Sequence, residues 1–163
     1  MVMAHQTHKY WCWAAVAVSV DRLFVRTSTD WAQCELVARV LPGAAGCCNA
    51  PDLFDRPFSL QAALTEVGNL KEMKVGPLTF AEIKDEISAK RPVCCRIQWI
   101  GTTFGHAVAI DGCLEYASGE QIVHVVDPFY SWGPGGGDYI PYDEFVSSYR
   151  SSGEWTHTYL VKP

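Results

Sequence analysis

The stretch KYWCWAAVAVSVDRLF, residues 9–24, sets one cysteine between two tryptophans and follows it with a long apolar run. Apolar side chains recur there at steps of three and four residues, at Val16, Val20, Leu23 and Phe24. This period predicts an amphipathic helix with Cys12 in its first turn. Because a helix N-terminus favours negative charge, Cys12 is either a reactive thiolate or a small buried hydrophobe.

Composition places the chain among ordinary globular proteins. It has 163 residues, 48% of them hydrophobic and 19% charged, enough for one domain with a full core. No apolar stretch reaches the roughly 18 residues of a membrane-spanning helix, and residues 1–8 lack the features of a secretory signal. The net charge of −5 provides no basic surface. We therefore expect neither nucleic acid nor a membrane as a partner.

Seven cysteines, an odd number, leave at least one thiol outside any internal disulfide. A chain of this length does not need disulfides for its core, so we expect free thiols in a reducing, cytosol-like environment rather than a disulfide scaffold. The alternative is zinc, with Cys34, Cys47 and Cys48 as three ligands. No second CxxC or HxxxH completes a known spacing, so we predict no metal and no cofactor.

The hydrophobic period changes halfway along the chain. Helices are expected over residues 30–41 after Thr29, 59–67 after the cap Ser59, and 80–90, where Thr79 and Glu82 form a capping box. Strand patterns follow over 92–100, 106–112, 121–126 and 156–161, with a glycine loop, a short strand and a brief helix over 133–149. Helices first and strands later indicate an α+β fold.

Cys12 has the neighbours that a nucleophile needs. A thiolate requires a lowered pKa, an acceptor site for the oxyanion and a base nearby. Gln6 lies on the segment that enters the same helix, so its side-chain amide and the Cys12 backbone N–H could both donate to the oxyanion.

Strand alternation selects the base from the five histidines. In GHAVAIDG, His106 shares a face with Val108 and Ile110, and in QIVHVVDP, Asp127 shares a face with Val123 and Val125. His106 and Asp127 can therefore project to one site from neighbouring strands, whereas His106 cannot pair with Asp111 along its own strand. We also expect Gly105 to leave open space beside the imidazole.

The segments QTHKYWCWAA, GHAVAIDG and VVDP together resemble the papain-like cysteine peptidases. In that family a glutamine precedes the cysteine by six residues, and a Gly-His and then an Asn or Asp follow on strands. The short bacterial forms, effector proteases and papain-fold toxins, are the most similar. They share the WCWAA opening, the mid-chain CC loop and the late PYDEF segment.

The resemblance implies a papain-like fold and a role for each site residue. One catalytic domain would span residues 1–163, with a helical lobe over 1–90, a lobe of antiparallel sheet or barrel over 91–163, and the active site in the groove between them. Cys12 would be the nucleophile of an endopeptidase, His106 its general acid and base, Asp127 the orienting carboxylate and Gln6 the oxyanion donor. The implied partner is a protein substrate.

Two departures from the family affect these expectations. Asp127-Pro128 replaces the Asn and Ser-Trp of the plant and lysosomal enzymes, and Trp132 comes five residues after Asp127, so no Trp is assigned to shield the pair. Gln6 also lies close to Met1, which leaves no propeptide in this sequence. An excised domain or a cognate inhibitor or immunity protein would explain this. We expect action in a reducing cytoplasm, with secretion or delivery into a target cell.

Other functions fit the same residues. The triad would equally serve a glutamine deamidase or transglutaminase that acts on proteins. Each residue alone also fits a structural role, and the chain would then be a non-catalytic papain-fold binding module with Cys12 in its core. The order of Gln6, Cys12, His106 and Asp127 favours catalysis.

Overall fold

A six-stranded antiparallel sheet organises the computed structural model, which describes residues 1–24, 31–131, 133–134 and 136–163. The strand order is β1-β6-β2-β3-β4-β5. The strands are β1 Leu70–Val75, β2 Val93–Trp99, β3 Gly105–Glu115, β4 Gln121–Val126, β5 Asp138–Pro141 and β6 Gly153–Val161. The predicted strands of the second half are confirmed, and the chain has the expected α+β architecture.

Five α-helices accompany the sheet in the described part of the chain: α1 Cys12–Phe24, α2 Gln33–Val40, α3 Leu60–Glu66, α4 Phe80–Ser88 and α5 Tyr142–Ser148. Two predicted caps are confirmed. Ser59 accepts a hydrogen bond from the Ala62 backbone N–H, and Thr79 and Glu82 form a reciprocal capping box. Thr29 and Asp30, the expected start of α2, lie outside the described residues.

The sheet separates two hydrophobic cores. On one face α1, α2 and α3 pack against Ala107, Ala109 and Val126. On the other face α4 and α5 pack against Val108, Ile110 and Val125, through residues such as Ile83 and Phe145. Strand alternation produces this division, because successive side chains of β3 point to opposite faces.

Helix α1 is more deeply buried than an amphipathic helix. Every residue from Cys12 to Asp21 is buried, and Leu23, expected on the apolar face, is exposed. The prediction of a single apolar stripe was therefore wrong, because the first ten residues of α1 are enclosed on all sides. A helix that is apolar all round belongs in the interior, and its position holds Cys12 in a fixed place at the sheet.

The first half of the chain also contains a strand that the sequence pattern did not predict. Strand β1 pairs with β6, with Met73 opposite Tyr159. Consequently β6 lies between β1 and β2 and is not an edge strand. His157 on β6 lies in the wall of the cleft described below.

A disulfide joins Cys34 of α2 to Cys48 in the loop after it. The expectation of free thiols is therefore wrong for this pair, and the suggested zinc ligands are not free as a set of three. The remaining cysteines are unpaired, namely Cys12, Cys47, Cys94, Cys95 and Cys113. A disulfide across a surface loop restricts the unfolded chain and so stabilises the fold.

Candidate active site

Cys12 is the first residue of α1 and lies at its N-terminus. The first backbone hydrogen bond of the helix runs from the Ala15 N–H to the Trp11 carbonyl. The N–H of Cys12 therefore precedes the helical ladder and points out of the helix end. The positive end of the helix dipole favours a thiolate at this position.

His106 and Asp127 are brought together from adjacent strands. The register aligns Ala109 of β3 with Val126 of β4, so Asp127 follows on opposite Val108 and lies diagonal to His106 on the same face of the sheet. The distance from His106 Nε2 to Asp127 Oδ1 is 2.8 Å. Both side chains lie on the sheet face of the α4–α5 core, as strand alternation predicted.

The Asp127 carboxylate is fully buried, and both of its oxygens accept hydrogen bonds. Oδ1 accepts from His106 and, at 2.8 Å, from the Phe129 backbone N–H. Oδ2 accepts from the Tyr149 hydroxyl at 2.6 Å. Its side chain is 0% exposed. Burial raises the pKa of Asp127. The hydrogen bond and charge of His106 and the hydrogen bonds from Tyr149 and the Phe129 backbone outweigh this, so the pKa is lowered overall.

His106 also interacts with the Cys12 side chain, and both residues line the same cleft. Because Nε2 is taken by Asp127, Nδ1 is the nitrogen that faces the sulfur. Burial lowers the pKa of His106, but the hydrogen bonds to Asp127 and Cys12 and their charges outweigh it and raise the pKa to about 10. The imidazole is therefore held as a cation between the Asp127 carboxylate and the Cys12 sulfur.

Gln6 lies in the wall of the same cleft and is buried. Its Nε2 donates to the backbone carbonyls of His8 at 3.0 Å and Lys9 at 2.7 Å. Its Oε1 is buried with no hydrogen-bond partner in the described part of the chain. Both amide hydrogens are thus engaged in the free protein, so donation to an oxyanion requires Gln6 to exchange one of these bonds.

A cleft of about 1090 Å³ opens above Cys12 and His106. Its walls come from both sides of the molecule: the residues before α1 and α3 on one side, and β2, β3 and β6 on the other. The cleft is largely apolar, lined by residues that include Trp13, Phe58, Leu60, Met73 and Tyr159. Such a groove accommodates an extended peptide beside the sulfur.

Comparison with known proteins agrees with this geometry. A model of the Peptidase_C39-like family matches residues 2–156. The chain belongs to this family. No curated protein matches the sequence.

The solved structures show that the Peptidase_C39-like chain has the papain-like fold. The cysteine protease Amb a 11 from ragweed pollen, in its proform, aligns with a TM-score of 0.55 at 16% identity, covering 100% of this chain and 62% of that one. The bromelain protease of Ananas comosus in complex with the E64 inhibitor aligns with a TM-score of 0.53 at 15% identity, covering 100% and 94%. The chain thus spans about three fifths of the ragweed proform. Family and fold together support a cysteine protease hydrolase.

Several site residues of this Peptidase_C39-like chain were missed from the sequence. The ring of Trp99 stacks on His106 at 6.1 Å between centroids, and on Tyr149 at 6.4 Å. Trp99 therefore covers the imidazole, whereas Trp132 lies outside the described residues. Alternation places Trp99 on the same face as Ile97, which pairs with His106. The strand register, which would have identified this contact, is not readable from the sequence.

Two kinds of feature are absent from the described residues, metal-ligand clusters and membrane-spanning helices. No group of three or more His, Cys, Asp or Glu there could hold a metal ion. None of the described helices has the length and hydrophobicity to cross a bilayer.

Proposed function

We propose that the protein is a cysteine endopeptidase that cleaves protein substrates with Cys12, His106 and Asp127. The observation that carries the proposal is the position of His106, which hydrogen-bonds with the buried Asp127 through Nε2 and also interacts with Cys12. This chain of contacts provides a nucleophile, a proton carrier and an orienting acceptor beside an open cleft.

Each step of the reaction uses a group already in place. The Cys12 thiolate attacks the peptide carbonyl carbon, and a C–S bond forms as the carbonyl oxygen becomes an oxyanion. His106 gives its proton to the leaving amine as the C–N bond breaks, which leaves a thioester. His106 then takes a proton from water, the hydroxide attacks the thioester, and the C–S bond breaks to release the acid and the thiolate.

The oxyanion that forms when Cys12 attacks the carbonyl carbon needs hydrogen-bond donors nearby. The Cys12 backbone N–H at the end of α1 is the first, because it lies outside the helical ladder. We assign Gln6 as the second donor, which takes up this role after releasing the carbonyl of His8 or Lys9. The longer of its two hydrogen bonds, to His8 at 3.0 Å, is the one we expect to exchange.

The experiment compares Cys12→Ala with a matched thiol substitution, Cys113→Ala, since Cys113 is a free, partly buried cysteine on β3. A mixture of unfolded proteins is incubated with each variant and the products are read by mass spectrometry. Wild type and Cys113→Ala should produce new N-termini, and Cys12→Ala should produce none. Cleavage that persists in Cys12→Ala would overturn the assignment.

The same data separate the other functions. A glutamine deamidase would raise substrate masses by about one dalton without cleaving the chain, because the same thioester chemistry acts on a side-chain amide. A binding module would do neither, and its Cys12 would react with iodoacetamide at mildly acidic pH no faster than Cys113.

We also propose the biological setting from the resemblance and from the disulfide. Residues 1–163 act as one catalytic domain, since both cores share a single sheet. The WCWAA, CC and PYDEF segments support a bacterial effector or toxin role, with a cognate inhibitor or immunity protein in the producing cell. The Cys34–Cys48 disulfide favours maturation in an oxidising compartment, which supports secretion or delivery over purely cytoplasmic action.

A further inference from the structure

An arginine is built into the cleft with two neutral hydrogen-bond partners. Arg96 lies on β2 and lines the cleft with its partly buried side chain. Nη1 donates to the Thr156 hydroxyl at 2.9 Å, and Nη2 donates to Oε1 of Gln98 at 2.5 Å. Both acceptors are neutral. No salt bridge to Arg96 occurs among the described residues, so its charge is oriented but uncompensated.

Gln98 is itself fixed in place. Its Nε2 donates to the carbonyls of Thr102 at 2.7 Å and Phe104 at 2.9 Å, across the turn that leads from β2 to β3. This leaves Oε1 directed at the guanidinium. Arg96 is thus held by two neighbours, one of which is anchored by the backbone, and such preorganisation lowers the entropic cost of binding a ligand.

Gly105 provides the space for this guanidinium. A Cβ on Gly105 would lie 2.9 Å from Nε and 3.0 Å from Cζ of Arg96, closer than real side chains approach. The φ angle of Gly105 is not positive, so the contact that a side chain there would disturb is the close approach of the Arg96 guanidinium. The expectation of open space beside His106 was therefore wrong, because Arg96 fills that space one residue away from the imidazole.

The described residues that line the cleft around Arg96 include no carboxylate, although the whole chain has a net charge of −5. Asp127 lies behind His106 and is paired with it. Burial, and after it the charge of Arg96, lower the pKa of the neighbouring His157, which keeps His157 neutral at physiological pH. Two further cations line the cleft. His106 is paired with Asp127, and Lys9 is exposed and lies over the ring of Tyr10.

We propose that Arg96 selects substrates with a glutamate or aspartate side chain at one position close to the cleaved bond. The inference rests on the proposed peptidase function. A guanidinium has five N–H donors in a planar fork that matches a carboxylate, and those of Arg96 outside its two hydrogen bonds remain available to a ligand. Because the guanidinium adjoins the residue before His106, the acidic side chain lies within about three residues of the cut, given about 3.3 Å per residue of extended peptide.

The test is a cleavage profile on a diverse library of peptides with acetylated and amidated ends. Wild type should enrich Glu or Asp at one position, and a matched pair of peptides with Glu or Gln there should differ about ten- to a hundredfold in kcat/KM. Arg96→Gln should reduce this ratio to about one while still cleaving the Gln peptide. Arg96→Glu should instead favour Lys or Arg at the same position.

Lys9→Gln is the control, because it removes a cation from the same cleft at an exposed site. Lys9→Gln should keep the wild-type ratio of kcat/KM between the Glu and Gln peptides. This result would distinguish recognition by Arg96 from a general attraction of acidic peptides to a positively charged cleft. Circular dichroism and the rate of Cys12 labelling establish that each Arg96 variant is folded. Preference for the same peptide only when its C-terminus is a free acid would assign the carboxylate to a chain end and overturn the side-chain proposal.

The two proposals fail in different ways. Cleavage that needs Cys12 but shows no acidic preference, or a preference that survives Arg96→Gln, would overturn the role of Arg96 and leave the peptidase assignment intact. An absence of any Cys12-dependent cleavage would overturn the peptidase assignment and, with it, the inference that rests on it.

Discussion

The molecule contains two His–Asp pairs that join the same two strands but differ in their surroundings. His106 of β3 pairs with Asp127 after β4 at 2.8 Å, and His124 of β4 pairs with Asp111 of β3 at 2.6 Å. Their distances are similar. The carboxylate of the first pair is 0% exposed and that of the second 9%, and the imidazoles are 10% and 18% exposed.

The two pairs differ in the other residues that contact each imidazole. His106 has Cys12 on its free side and Trp99 stacked on its ring. His124 instead packs against the ring of Tyr139, with no thiol hydrogen bond among the described residues. The charges that act on Cys113, the cysteine nearest to Asp111 in sequence, are those of Lys84 and Glu115. A His–Asp pair alone therefore does not indicate a catalytic site. The distinguishing feature is the N-terminus of α1, which brings the Cys12 sulfur to His106.

The largest expected effect comes from exchanging one imidazole at a time. His106→Gln should lower kcat about 10³-fold or more, because the proton carrier is lost, whereas His124→Gln should leave kcat within about twofold. Initial rates on a fluorogenic peptide measure both. Equal losses in the two variants would show that the comparison does not separate a catalytic pair from a structural one.

Substitutions of Asp127 and Asp111 test the same difference between the two pairs. Asp127→Ala should lower kcat about 10²-fold, because His106 loses its orienting acceptor and the Tyr149 hydroxyl and Phe129 N–H lose theirs. Asp127→Asn should restore part of the rate, since its carbonyl oxygen still accepts from Nε2. Asp111→Ala is the matched control and should leave kcat near the wild-type value. A full wild-type rate in Asp127→Ala would contradict the assigned role.

The pH profile provides a smaller, directional test. The raised pKa of His106, about 10, means that the imidazolium persists through neutral pH and is lost as the pH rises through about 10. The rate should fall about tenfold per pH unit above that value, and the limb should stay in place in His124→Gln. The stability that the paired imidazolium contributes is complete below the unfolded pKa of about 6.5 and disappears through the same upper range.

Asp127→Asn should shift the alkaline limb to lower pH, because it removes one of the charges that raise the pKa of His106. An unchanged limb in this variant would mean that another group controls the alkaline loss. The initial rates have to be taken in short assays, with folding followed by fluorescence in parallel.

The smallest effects concern the tyrosines that contact each pair. Tyr149→Phe removes the hydroxyl that donates to the buried Asp127 at 2.6 Å, and should lower the free energy of unfolding by about 1.5–3 kcal/mol. Tyr139→Phe, beside His124, alters an exposed side chain and should change it by less than about 0.5 kcal/mol. Urea denaturation measures both. Comparable losses would remove the distinction between the two environments.

Prediction from sequence succeeded where structure depends on neighbours along the chain. The helices, the caps at Ser59 and Thr79, and the strands of the second half follow from local periodicity and capping chemistry. Strand alternation also placed His106 and Asp127 on a common face. The sequence pattern did not predict β1, because apolar and polar side chains alternate only weakly there and the strand forms through its pairing with β6.

Errors arose where two distant segments had to meet. The sequence could not pair Cys34 with Cys48, because disulfide connectivity depends on the distance between α2 and the following loop in the folded chain. It interpreted Gly105 as open space, since the residue that fills the space lies across the strand pair. The hydrogen bonds of Gln6 to two backbone carbonyls were likewise invisible.

The sequence by itself determined most helices, the strands of the second half, the common face of His106 and Asp127, and the groups Gln6, Cys12, His106 and Asp127. These follow from side-chain type and short-range geometry. Only the tertiary structure decided which of the two His–Asp pairs meets a thiol, which aromatic ring covers it, and where Arg96 enters the cleft. Strand register and helix packing bring those groups together, and both depend on contacts between residues that are far apart in the chain.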